Sequence, residues 1–179
     1  MNDSLLKAKE LFTAYYGNFI QMHREGKLEE YRAYELPKET ETEWLQEMLN
    51  RFSRELSITN WDAMLRLQAL ARNSQDSRLL ENMVAFASRH LMSADSIVKL
   101  MYAEITIELI ISIPNPYSKE LIFRAFKLTI RLLEDIIAGP LVADPGHELH
   151  LFGLKDKKSL NNRAKKDIDV IIDYLDNLV

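Results

Sequence analysis

The chain has no cysteine, which removes disulfides, thiolate metal sites and cysteine nucleophiles together. Glycine and proline are scarce, 5 of each in 179 residues, so the elements are expected to be long and the connections few. The same scarcity leaves no Gly-rich phosphate loop, no Gly-x-Ser-x-Gly elbow and no dinucleotide fingerprint, and no cofactor is expected. Long unbroken apolar runs are also missing. The most apolar stretch, 94–112, is interrupted by Lys99, Glu104 and Glu108, whereas a membrane span needs about 20 largely apolar residues. Met1-Asn2-Asp3-Ser4-Leu5-Leu6-Lys7 shows no basic region followed by an apolar run, so no secretory signal is expected and the cytoplasm is the default compartment. A net charge of −4 neither demands a nucleic-acid partner nor marks an acidic tail.

What remains is ordinary globular composition, 47% hydrophobic and 28% charged, enough for one domain over residues 1–179 with a real core. Residues 94–138 look like its centre. In 94–112 the apolar residues fall on all sides of a helical wheel, the mark of a helix surrounded by others. Ser93 is placed to cap its start. In 119–138 the charges Glu120, Arg124, Lys127, Arg131, Glu134 and Asp135 share a stripe roughly 120° wide, with apolar residues on the remaining arc. Gly139-Pro140 ends that helix, the glycine by taking a left-handed conformation. Pro114-Asn115-Pro116 joins the two, so an antiparallel pair folding back near Asn115 is expected. That register sets Glu108 opposite Arg124 and Glu104 opposite Lys127. Alternatively, these cations face water and pair within their own helix, as Glu120–Arg124 and Arg131–Asp135.

Apolar spacing of three and four predicts a first helix from Leu5 past Met22 to about Gly26, capped by Asp3 or Ser4. A short piece over 28–34 follows, inside a charged 27–42 segment expected to wrap the outside. Thr40-x-x-Glu43 and Thr59-x-x-Asp62 resemble capping boxes opening helices 43–56 and 60–73. Further helices are predicted at 77–92 and 160–178. Residues 140–158 lack a clear period and carry the Pro145-Gly146 turn signal, with 150–154 expected to be extended. The result is an all-α compact bundle of about seven helices. The helix pairs also allow a short HEAT-like stack of α-hairpins, although no repeat signature is present.

Three groups of residues point to chemistry. His147 and His150, with Asp144 and Glu148, bring imidazoles and carboxylates close together, as a divalent metal site requires. Their spacing differs from the i,i+4 pair of zinc proteases, and a solvated loop is the competing reading. Glu104 and Glu108 share a face of an apolar helix and need a cation, a proton or basic partners. Lys155, Lys157, Lys158, Arg163, Lys165 and Lys166 crowd the start of the last helix, ahead of Asp169, Asp173 and Asp176. That order opposes the helix dipole and suggests a site for an anionic partner, although no aromatic residues interleave for base stacking.

The functional expectation is a non-enzymatic intracellular protein that binds a macromolecule, protein or anionic, as a regulator, adaptor or inhibitor. The alternative is a metal-dependent or small-molecule enzyme using Glu104/Glu108 or the Asp144–His150 loop. A third reading is a homo-oligomer whose apolar surface is completed by a second copy.

Overall fold

A computed structural model describes residues 3–113 and 117–178. Among them are nine α-helices and no strand: α1 (Asp3–Ala14), α2 (Phe19–Arg24), α3 (Leu28–Arg32), α4 (Lys38–Arg54), α5 (Asp62–Ala71), α6 (Arg78–His90), α7 (Ser96–Ile111), α8 (Lys119–Ala138) and α9 (Lys157–Leu178). Short 3-10 turns occupy Leu91–Ser93 and Leu149–Phe152.

The all-round apolar helix α7 is the hub. Ile97, Val98, Leu100 and Leu109 are fully buried, each contributing about 1.5–3 kcal/mol through apolar burial, and Ala103 is fully buried beside them. Helices α5, α8 and α9 pack against it. From α4 onward the chain alternates between two rows of neighbours, α4–α6–α8 and α5–α7–α9, which close into a compact bundle. Lys99 at the start of α7 meets Asp135 at the end of α8 at 2.6 Å, so the central pair is antiparallel as expected. The fold-back point expected at Asn115 lies outside the described residues.

The register pairs do not form. Glu108 bonds Arg72 just beyond α5 at 2.8 Å and Glu104 bonds Arg163 of α9, while Arg124 and Lys127 are exposed. The partners of both glutamates come from α9 and the end of α5, not from α8. Nor does Asp135 pair within α8, because it is committed to Lys99.

The N-terminal helices are held by aromatic packing. Phe12, Tyr31 and Trp44 gather with ring centroids 5.5–5.7 Å apart about Phe12, and Phe19 joins at 5.6 Å from Tyr31. Here the expected single helix is two. Tyr16 and Gly17 both take positive φ, 52° and 70°, and the Gly17 N–H bonds Phe12 O at 3.0 Å to close α1. Asn18 then caps α2 by accepting the Gln21 N–H at 3.0 Å. A Cβ on Gly17 would lie 2.9 Å from the Phe12 ring, so glycine is required there twice over.

Several ends differ from the sequence expectation. Asp95, not Ser93, caps α7, accepting the Val98 N–H at 2.7 Å. Ser93 instead donates to His90 O. Pro37 precedes α4 and pre-sets its backbone without a side-chain cap, so Thr40 falls inside the helix. Helix α5 starts at Asp62, whose N–H is taken by Asn60 Oδ1 at 3.2 Å rather than by Thr59. Gly139 is extended, not left-handed. Residues 149–152 form a 3-10 turn, where 150–154 is expected to be extended.

Helices α8 and α9 stabilise each other's ends. Lys119, the first residue of α8, donates to Leu178 O at 2.8 Å, and Lys157, the first residue of α9, donates to Ile136 O. Each lysine brings positive charge to the other helix's carbonyl end, where the dipole favours it.

Candidate functional site

The loop after α8 is tied to the start of α7 through Asp95. The Asp95 side chain is 1% exposed, and its carboxylate accepts three donors. Oδ1 takes the Val98 N–H; Oδ2 takes the Asp144 N–H at 2.9 Å and contacts His147 Nδ1 at 2.6 Å. The Val142 N–H bonds Ser96 Oγ, and the Ser96 N–H bonds Val142 O. The His147 ring is walled by Trp61 at 5.2 Å and Phe152 at 6.5 Å.

Asp95, Asp144 and His147 each offer one ligand atom within 4.8 Å of the others. Of the residues expected to hold a metal, His147 and Asp144 therefore come together, while His150 is exposed and outside that group. Asp95 replaces it. The 2.6 Å contact is a hydrogen-bond distance, whereas two ligands on one zinc at about 2.0–2.1 Å stand about 3 Å apart or more. An ion here has to displace that bond. Glu148, whose carboxylate is bonded by its own N–H and that of Gly146, is held below the usual carboxylate range.

The basic cluster of α9 divides. Arg163 grips Glu104 with Nε at 2.5 Å and a terminal nitrogen at 2.8 Å, and also donates to Phe152 O at 3.1 Å. Lys157 is half-buried against the end of α8, and burial lowers its pKa. Lys155, Lys158, Lys165 and Lys166 stay exposed. The first turn of α9 is satisfied reciprocally, Asp156 accepting the Ser159 N–H at 2.8 Å while Ser159 Oγ accepts the Asp156 N–H at 3.0 Å.

Beside Glu104 lies a residue the sequence did not single out. Asp167 has a buried Oδ2 without a donor, and its pKa is raised to about 7. Desolvation is the main cause, the Glu104 charge adds to it, and Arg163 opposes.

The other missed residues line an open cleft of about 540 Å³ between α4 and α6. The two helices run in the same direction here, Gln46 touching Arg78 and Ser53 touching Asn82. Helix α4 supplies Asn50, Ser53 and Arg54; α6 supplies Asn82, Phe86, Arg89 and His90. No acidic residue lines the cleft, and neither Arg54 nor Arg89 has a carboxylate partner among the described residues. The last turns of both helices attract cations through their dipoles, which accounts for some of this charge. One signal in the sequence, shared with Arg24, marks these two arginines. Neither has an acid three or four positions away, whereas Arg51 has Glu47 and Glu55.

The chain matches no known family model, no characterised protein and no solved structure. The fold and its sites therefore define only an all-helical bundle. Among the described residues no helix is long and apolar enough to cross a membrane.

Proposed function

We propose that the protein works by binding an acidic macromolecular partner, and that the α4–α6 cleft is the contact surface. One observation carries this reading: Arg54 and Arg89 line one cleft that has no acid in its lining, and neither has a carboxylate partner among the described residues. Unpaired guanidiniums on an open surface raise the local concentration of anionic groups and match carboxylate or phosphate oxygens two at a time. Such a protein acts as a regulator, adaptor or inhibitor, and the cytoplasm is its proposed location.

Titration of labelled poly-glutamate at rising salt tests the reading. Binding should weaken with salt and fall at least tenfold in the R54A/R89A double variant. Affinity indifferent to salt would overturn it. Loss of binding only in a K158A/K165A/K166A variant would move the contact to the exposed lysines of α9.

A metal-dependent reading rests on the Asp95–Asp144–His147 group. Elemental analysis of the purified protein tests it, and a H147A variant that retains any bound metal would exclude that group. Glu104 and Glu108 support it less, since Arg163 and Arg72 already take up their charge.

A further inference from the structure

Resting on that reading of the cleft, we infer that the group it receives is a single phosphoryl group, carried on a side chain of the partner protein.

Unpaired positive charge at the cleft is confined to a small area. Around the cleft the other cations are taken: Lys9 by Glu47, Arg51 and Arg66 by Glu55, Arg78 by Asp76. Arg51 and Arg66 also lie over the Phe52 ring, 4.8 and 5.8 Å from its centroid. Among the described residues, Arg54 and Arg89 are the arginines that line the cleft, and neither has a carboxylate partner, so the attraction is local. A nucleic-acid backbone needs a track of cations and stacking platforms along it. This surface offers one spot on a chain of net charge −4.

Hydrogen bonds within the lining leave several donors unspent. Arg54 donates Nε to Asn50 O at 3.2 Å, which fixes the stem and leaves both terminal nitrogens free. Asn50 Oδ1 accepts from Gln46 at 3.0 Å, so its amide hydrogens remain available. Ser53 Oγ accepts from Asn82 at 3.0 Å, so its hydroxyl hydrogen is available too. The His90 ring packs against Phe86 at 5.1 Å, which orients an imidazole at the same rim. Acceptor sites on Asn50 and Ser53 are thus occupied internally and their donors left available, while Asn82, which donates to Ser53, keeps its Oδ1 as an acceptor.

The stoichiometry of charge favours phosphate over carboxylate. A carboxylate carries one negative charge and two oxygens, and one guanidinium fork satisfies it. Two unpaired guanidiniums with further donors match a phosphomonoester, which carries about two charges and three acceptor oxygens at neutral pH.

The test uses the full chain and small probes whose binding does not depend on a peptide sequence. Amide NMR shifts are followed during titration with N-acetyl phosphoserine amide, N-acetyl glutamate amide and inorganic phosphate at fixed ionic strength. The phosphoserine derivative should bind at least tenfold more tightly than the glutamate derivative, with shifts centred on residues 50–54 and 82–90. R54K/R89K keeps the charge that complements the helix ends but loses the forks, so it should lose that preference at an unchanged thermal midpoint. Equal affinity for the two derivatives, or an R54K/R89K variant that binds like the parent, overturns the inference.

The remaining outcomes separate the two readings. Poly-glutamate binding that depends on Arg54 and Arg89, with no phosphoryl preference, sinks the phosphoryl assignment and leaves the acidic-partner reading standing. Cleft-independent behaviour of every anion sinks both. A short single-stranded oligonucleotide that displaces the phosphoserine derivative and binds more tightly replaces the protein partner with a nucleic acid.

Discussion

The half-buried carboxyl of Asp167 gives the sharpest prediction. Its ordinary pKa of 3.8 is raised to about 7 by desolvation, then by the Glu104 charge, with Arg163 pulling the other way. A group that binds its proton more tightly in the folded state contributes stability below its unfolded pKa. That contribution is lost as pH rises toward the folded value. The folded protein should therefore lose stability between about pH 4 and pH 7 on account of this residue. Three units at about 1.36 kcal/mol each set a ceiling near 4 kcal/mol. The side chain is only partly buried, so solvent screening reduces this to about 1–2 kcal/mol. Asp167→Asn removes the titration while nearly keeping the shape, and its amide can donate to Glu104. The variant should match the parent near pH 4 and exceed it at pH 8 by that amount, which is about 2–4 °C per kcal/mol for a chain of this size. Thermal denaturation at both pH values measures the difference, and carbon NMR of the carboxyl should show a midpoint near 7. A gain of equal size at pH 4 and pH 8, or a loss at pH 8, would refute the reasoning.

Three further substitutions follow from buried hydrogen bonds and backbone geometry. The Tyr102 hydroxyl, whose pKa burial pushes up to about 12, donates to Ser57 O at 2.9 Å and accepts the Ser57 N–H at 3.2 Å. Tyr102→Phe strands both backbone groups and should cost about 1–3 kcal/mol in urea denaturation. Asp95→Ala removes the α7 cap and two ties to the loop; about 2 kcal/mol is expected, with hydrogen exchange at residues 142–147 rising at least tenfold. Unchanged exchange there would mean the loop is held otherwise. Gly17→Ala must place a methyl group at φ +70°, 2.9 Å from the Phe12 ring, and should cost about 1–2 kcal/mol or more. A neutral result in chemical denaturation would contradict the geometry of the α1–α2 break.

Much of the helix inventory was legible because apolar spacing is a local signal. The hub α7 is apolar on every face, and that pattern has only one economical explanation, burial by neighbours. Where the expectation failed, the local signal was ambiguous. The spacing of Phe12, Tyr15, Phe19 and Met22 runs straight through Gly17, so periodicity hid the break. Ser93 and Asp95 can both cap, and only the tertiary ties to Asp144 and His147 select the aspartate. Charge partners were the least legible, since they depend on which helix faces which. Glu104 meets Arg163, 59 residues away in sequence, and Arg54 shares a cleft with Arg89 on a helix two elements later. The basic start of α9 opposes that helix's own dipole, and two of its cations, Lys157 and Arg163, serve the end of α8 and Glu104, contacts no local pattern shows.

That last arrangement has a bearing on how the chain can be shortened. A lysine at either end of the final helical hairpin serves the opposite helix's terminus, so neither helix carries its own complete set of end groups. Removing residues 157–178 strips the Ile136 and Ile137 carbonyls of the Lys157 and Asn161 donors. The damage should spread backward as fraying of the C-terminal turn of α8, beyond the loss of one packing partner. The carboxyl-terminal helix is thus a clamp on its predecessor, and a trimmed protein should be cut by proteases near residue 136, well inside the remaining chain.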